Sequence, residues 1–146
     1  MATSDGISAE DWVVVHELAV EIVNAPDGES SASRKKLMDY LDTLECRYGP
    51  LPSILATRAD YLPDDDPAKT ELLLSAYRAA QASGDCKNQL LVAGSLADLY
   101  LERGELFDAS RWLERMRSHS VALNNADYSE YERLMANYRT LALRKV

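Results

Sequence analysis

Four carboxylates offer the nearest approach to catalytic chemistry in this chain. Glu17 and Glu21 are four residues apart and Asp39 and Asp42 three apart, so on helices each pair shares a face. Two such pairs on facing helices would make an oxygen-rich set able to hold magnesium. The run Asp64-Asp65-Asp66 is a second cluster of oxygen donors, but a calcium loop also needs a central glycine and a closing glutamate, and both are absent. His16 and His119 are far apart, and neither has a serine or cysteine motif beside it that would make an activated nucleophile. His16 shares a helical face with Trp12 and Ala19, which predicts a histidine at the edge of the core. Cys46 and Cys86 form no CxxC pair and have no ligand-like spacing to a histidine, so neither a zinc site nor a disulfide framework is expected and a reducing compartment is implied. The six glycines are scattered at turns and make no phosphate-binding fingerprint.

In its arrangement, the four-carboxylate set resembles the all-helical nucleotide pyrophosphohydrolases, which place acids on facing helices and would imply a magnesium-dependent enzyme. Their first pair is ExxE, whereas Glu17 and Glu21 are spaced one residue wider. The aspartate run departs from the DDxxD motif of isoprenoid synthases because Ala68 and Lys69 stand where its last aspartate would fall. Solvated helix faces account for the first set and helix capping for the second. The expectation is therefore a protein without catalytic residues, metal or cofactor.

The elements that carry these residues read as helices throughout. At 146 residues, 47% hydrophobic and 27% charged, the chain is long and apolar enough to bury one core, and a single domain over 1–146 is expected, with 1–7 as a flexible lead-in. Ser8 with Asp11 resembles a capping box, and Trp12, Val15, Leu18 and Ile22 recur at helical spacing to about Asn24. That period outweighs the strand preference of Val13-Val14-Val15. After the linker APDGESS, a stripe of Leu37, Leu41, Leu44 and Tyr48 marks a second helix, which stops where Gly49 can turn left-handed and Pro50 cannot continue it. A third helix covers 52–61. Asp66 caps a fourth, with Pro67 at its first position, and Gly84 ends it. Asp85 caps a fifth that closes at Gly104, Leu106 to Met116 form a sixth, and a seventh runs from about Ala126 to Arg144 with Tyr128, Tyr131, Leu134, Tyr138 and Leu141 along one stripe. Arg139, Arg144 and Lys145 suit the negative pole of that last helix.

Short connections make sequential helices antiparallel neighbours, so the predicted fold is all-α, about seven helices stacked as hairpins. The stretch SLADLYLERGELFDASRWLERM resembles a tetratricopeptide repeat: Leu96, Ala97 and Tyr100 match the first helix of the unit, Gly104 its turn, and Ala109 and Leu113 its second helix. Leu55, Ala56 and Ala59 followed by Ala68 and Leu72 repeat the pattern with a longer spacing, and Trp12, Val15 and Ala19 fit a first helix alone. The seventh helix would then be the terminal cap that such stacks require.

The resemblance implies a concave surface lined by the first helix of each pair. Its positions fall on Glu10, Glu17 and Glu21 in the first helix, on Thr57, Asp60 and Tyr61 in the third, and on Leu91, Asp98, Leu101 and Glu102 in the fifth. A basic clamp for a peptide carboxylate is missing. Independently of any family, Glu10, Glu17 and Glu21 align on one helical face. The net charge is −8, and its excess is N-terminal: residues 1–66 hold 14 acids against 5 bases, residues 67–146 hold 10 against 11. Such a surface repels nucleic acid and anionic lipid and attracts cations. The expected partner is a basic peptide or protein, with Tyr61, Leu91 and Leu101 as apolar contacts. An immunity protein, a secretion chaperone and an adaptor all fit that reading; a homo-oligomer formed through the tyrosine-rich seventh helix is the alternative. No secretory segment opens the chain and no apolar run reaches membrane-spanning length, so a cytoplasmic protein is expected.

Overall fold

Three capping side chains stand where the spacing placed them. In a computed structural model of the protein, which describes residues 2–26, 28–119 and 125–144, Ser8 Oγ accepts from the Asp11 amide at 3.2 Å, Asp66 from the Ala68 amide at 2.9 Å, and Asp85 from the Asn88 amide at 3.1 Å. Each satisfies an amide that has no partner inside its own helix. The helices are α1 (Ala9–Asn24), α2 (Ser31–Tyr48), α3 (Pro52–Asp60), α4 (Pro67–Ser83), α5 (Cys86–Glu102), α6 (Leu106–Ser118) and α7 (Asn125–Arg144). The described residues contain no strand, and the fold is all-α. Gly84 closes α4 in the left-handed conformation at φ 71°. Gly49 also has positive φ, 86°, but its ψ of −177° is extended, so it turns the chain toward Pro50 by a different route from the left-handed cap expected there.

Two hydrophobic clusters organise the helices, and α3 belongs to both. Val15 and Ile22 of α1 meet Leu37, Leu41 and Leu44 of α2 and Ile54 of α3. The next residue of α3, Leu55, joins Leu73, Ala76, Leu96, Leu113 and Leu134 in a cluster built from α3 to α7. Adjacent helical residues point about 100° apart, which lets one short helix serve two cores. Each helix touches the next in sequence; in addition α3 touches α5 and α5 touches α7, with no comparable contact between α2 and α4 or between α4 and α6. This packing is consistent with a stack of helical hairpins in which α5 neighbours both α3 and α7, whereas α1 makes no comparable contact with α3.

The lead-in departs from expectation. Ile7 is fully buried in the first cluster, and Asp5 accepts hydrogen bonds from the Ser53 amide at 2.7 Å and the Ser53 hydroxyl at 2.9 Å. Leu51, the residue preceding α3, has no capping side chain, so Asp5 caps that helix from 48 residues away in sequence. Ser4 donates to Asp85 at 2.9 Å and accepts from Asn88 at 3.2 Å. Residues 3–7 therefore fasten the starts of α3 and α5; Met1 lies outside the described residues. Two further positions differ. His16 is exposed instead of sitting at the core edge, because α1 is buried along Val15 and Ile22, and His16 is turned about 100° from Val15. In α7, Leu134 is buried but Tyr128 is 52% exposed. Lys145 lies outside the described residues.

Candidate interaction surface

On the side of α3, α5 and α7, three concavities run into one another. The first, about 470 Å³, is bounded by residues 2–4, Trp12, Ser53, Thr57 and Asp60 on one side and Lys87, Leu91 and Ser95 on the other. Asp60 and Ser95 continue into a second, about 160 Å³, completed by Asp64, Lys69, Asp98 and Glu102. Asp98 and Glu102 continue into a third, about 400 Å³, walled on α7 by Arg133, Asn137, Leu141 and Arg144. Shared residues make these a single trough.

Its middle holds four carboxylates beside one ammonium. Lys69 pairs with Asp64 at 2.7 Å, and Arg103 holds the Asp64 carbonyl at 2.6 Å, which fixes the loop before α4. Glu102 is held up at about 7, first by a hydrogen bond with Asp64, then by burial and by the charges of Asp64 and Asp98, with Lys69 opposing. Asp64 is correspondingly lowered by the same hydrogen bond and by Lys69. The two carboxyls therefore titrate as a pair, with Glu102 the member that takes the proton more readily. Asp60 is raised by burial, with Lys69 opposing; although the residue as a whole is exposed, its surroundings disfavour the charged carboxylate. At the α7 end, Arg133 lies 3.7 Å from Asp98 and 2.6 Å from Glu130.

The residues singled out in the sequence divide into two groups. Thr57, Asp60, Leu91, Asp98, Leu101 and Glu102 line the trough. Glu10, Glu17 and Glu21 are exposed, but they lie roughly 140–180° round α1 from Trp12, the α1 residue on the trough, and so face away from it. Tyr61 is turned to the first cluster, with Arg34 stacked over its ring at 5.7 Å. Leu101, though in the lining of the third concavity, is only 4% exposed, because α7 packs against α5. Helix capping accounts for Asp66 alone, at the start of α4, while Asp64 joins the carboxylate group. Nothing local in the sequence links Asp64 to Glu102, since their meeting depends on the loop's position across α5.

The four-carboxylate set of α1 and α2 is already engaged in part. Asp39 pairs with Lys35 at 2.9 Å, and Asp42 with Arg58 at 2.6 Å. Among the described residues no group of three or more His, Cys, Asp or Glu is placed to hold a metal ion, and no helix is long and apolar enough to cross a membrane. Cys46 and Cys86 are free thiols. Comparison with protein-family models, curated proteins and solved structures finds no match to this chain.

Proposed function

We propose that this protein is an interaction module that receives a basic peptide or protein segment in the trough between α3, α5 and α7. The observation that carries the reading is the grouping of Asp60, Asp64, Asp98 and Glu102 around the single ammonium of Lys69 at the middle of the trough. Lys69 pairs with Asp64 and Arg133 reaches Asp98, which leaves Asp60 and Glu102 without an ion-pair partner among the described residues, and Glu102 is raised to about 7, first by its hydrogen bond with Asp64. A Lys or Arg entering there would displace the proton and pair with the carboxylates, and the exposed Leu91 offers an apolar contact further along. Tetratricopeptide-like stacks use their concave side in this way, and immunity, chaperone and adaptor roles all reduce to such an encounter.

The test is titration with an oligolysine peptide, read by calorimetry. Saturable binding is expected, weakening by about tenfold or more as salt is raised from about 0.05 to about 0.5 M. Glu102→Lys should abolish it, whereas Glu17→Lys, on the far side of α1, should change it less than about twofold. Equal sensitivity to both reversals would move the surface onto α1 and overturn the trough. A second reading, self-association through α7, is favoured by the exposure of Tyr128 (52%) and Leu143 (75%) on that helix. A mass by light scattering that doubles with concentration, and reverts in Leu143→Glu, would support it.

A further inference from the structure

A separate concavity of about 340 Å³ opens on the opposite side of α5, where Tyr100 forms its floor. Tyr100 lies roughly 160–200° round the helix from Asp98 and Glu102, so this cleft and the acidic trough share α5 but not a face. Its walls are two matching helical stripes. From α4 come Leu74, Tyr77, Arg78 and Gln81, and from α6 come Asp108, Arg111, Trp112 and Arg115. Both sets have the spacing i, i+3, i+4, i+7, which is one face of a helix.

Three arginines line this cleft in a protein of net charge −8, Arg111 with its guanidinium 6.0 Å over the exposed Phe107 ring at the rim. Arg47, Arg58, Arg117 and Arg133 elsewhere in the fold are ion-paired, but none of Arg78, Arg111 and Arg115 lies within ion-pair distance of a carboxylate among the described residues. Asp108 is the one acid in the lining, so the cleft carries an excess of about two positive charges. Arg115 is also held in place. Its guanidinium lies 4.2 Å over the Trp112 ring and 5.5 Å from that of Tyr77, and those two rings meet edge to face at 4.9 Å. A guanidinium stacked by its face keeps its in-plane N–H donors for another group, and its ordering cost is already met in the free protein.

We infer that this cleft binds a small phosphoryl anion, a phosphate monoester or diphosphate, between Arg78, Arg111 and Arg115. The terminal oxygens of a phosphoryl group can accept from three guanidiniums at once, whereas a planar carboxylate offers only two oxygens. The volume is at the small end of the range for small-molecule sites. A polyanion such as nucleic acid is disfavoured because the acidic molecule around the cleft repels it. The rings of Trp112 and Tyr77 are buried and Arg115 covers the first, so the recognised part is the anion and not an attached base.

Trp112 makes the test direct. In a Trp12→Phe background it is the sole tryptophan, and pyrophosphate added at constant ionic strength should change its fluorescence saturably, with a sub-millimolar midpoint. Arg78→Gln and Arg111→Gln should each weaken binding about tenfold or more, while Arg117→Gln, whose native side chain is paired with Glu114 at 2.9 Å, should leave it unchanged. Acetate at the same concentration should not compete. Calorimetry of the unsubstituted protein with pyrophosphate must give the same midpoint, which guards against a folding defect in the reporter variant. No saturable signal up to about 10 mM by either method, or equal losses in Arg117→Gln and Arg111→Gln, overturns the site.

Discussion

With Asp64 hydrogen-bonded to it and Asp98 beside it, Glu102 takes a proton more readily folded than unfolded, and that fixes a sign. Its folded value of about 7 stands above its ordinary 4.5, so its contribution to stability is fully present below about 4.5 and is lost as pH rises through 7. Asp60, also raised, acts in the same direction, while the lowered Asp64 acts only at more acid pH, below its ordinary 3.8. Thermal midpoints should therefore fall modestly between about pH 5 and pH 8, by the equivalent of less than about 1 kcal/mol because Glu102 is exposed to screening solvent. Glu102→Gln should flatten that slope. For a basic ligand the same proton works the other way: affinity should rise from pH 6 to pH 8, by less than about tenfold per pH unit if one proton is released. An affinity independent of pH would separate Glu102 from the binding surface. The tetratricopeptide-like resemblance implies one surface for Asp60, Asp98 and Glu102. The sequence is silent on the coupling of Glu102 to Asp64, because Asp64 reaches Glu102 only through the fold.

At the scale of the elements, what was legible is what is local. Ser8, Asp66 and Asp85 cap the helices that follow them within three residues, and the 3.6-residue period finds α1 despite its valine run. What was illegible depends on a neighbour distant in sequence. The cap of α3 comes from Asp5, and the exposure of Leu101 is decided by α7. Helical periodicity orders residues around an axis but does not say which other helix will cover a given face, which is also why His16 and the α1 acids fall elsewhere. Asp5→Ala should cost about 1 kcal/mol by leaving the start of α3 without its acceptor, a loss readable in urea melts. Within α6, Leu113→Ala should cost about 2–5 kcal/mol, because Leu113 is 2% exposed in the larger cluster, while Asp65→Ala on the exposed loop should cost less than about 0.5 kcal/mol. Equal costs would mean that the register of α6 is wrong.

Over the whole molecule, two hydrophobic clusters meet along α3, and each has one of the chain's two tryptophans in it or against it. Trp12 packs on the cluster of α1 and α2, and Trp112 lies inside the cluster of α3 to α7. Ile54 is fully buried in the first cluster, while its neighbour Leu55 is buried in the second. Residues 3–7 add a further tie, because Ile7 sits in the first cluster while Ser4 bonds to Asp85 and Asn88 at the start of α5. If α3 couples the clusters as tightly as this sharing implies, truncating it on one side must loosen both. Ile54→Ala should lower stability by about 2–5 kcal/mol. Measured in Trp12→Phe and Trp112→Phe backgrounds, the remaining tryptophan should report the same loss from either cluster, within about 0.5 kcal/mol, in a single transition that matches the helical signal by circular dichroism. If Trp12 alone recorded the loss while Trp112 kept its midpoint, α1 and α2 would be a separately melting unit. The trough would then have one wall, Trp12 and residues 2–4, able to come away from α3 and α5 without unfolding the acidic group at its centre.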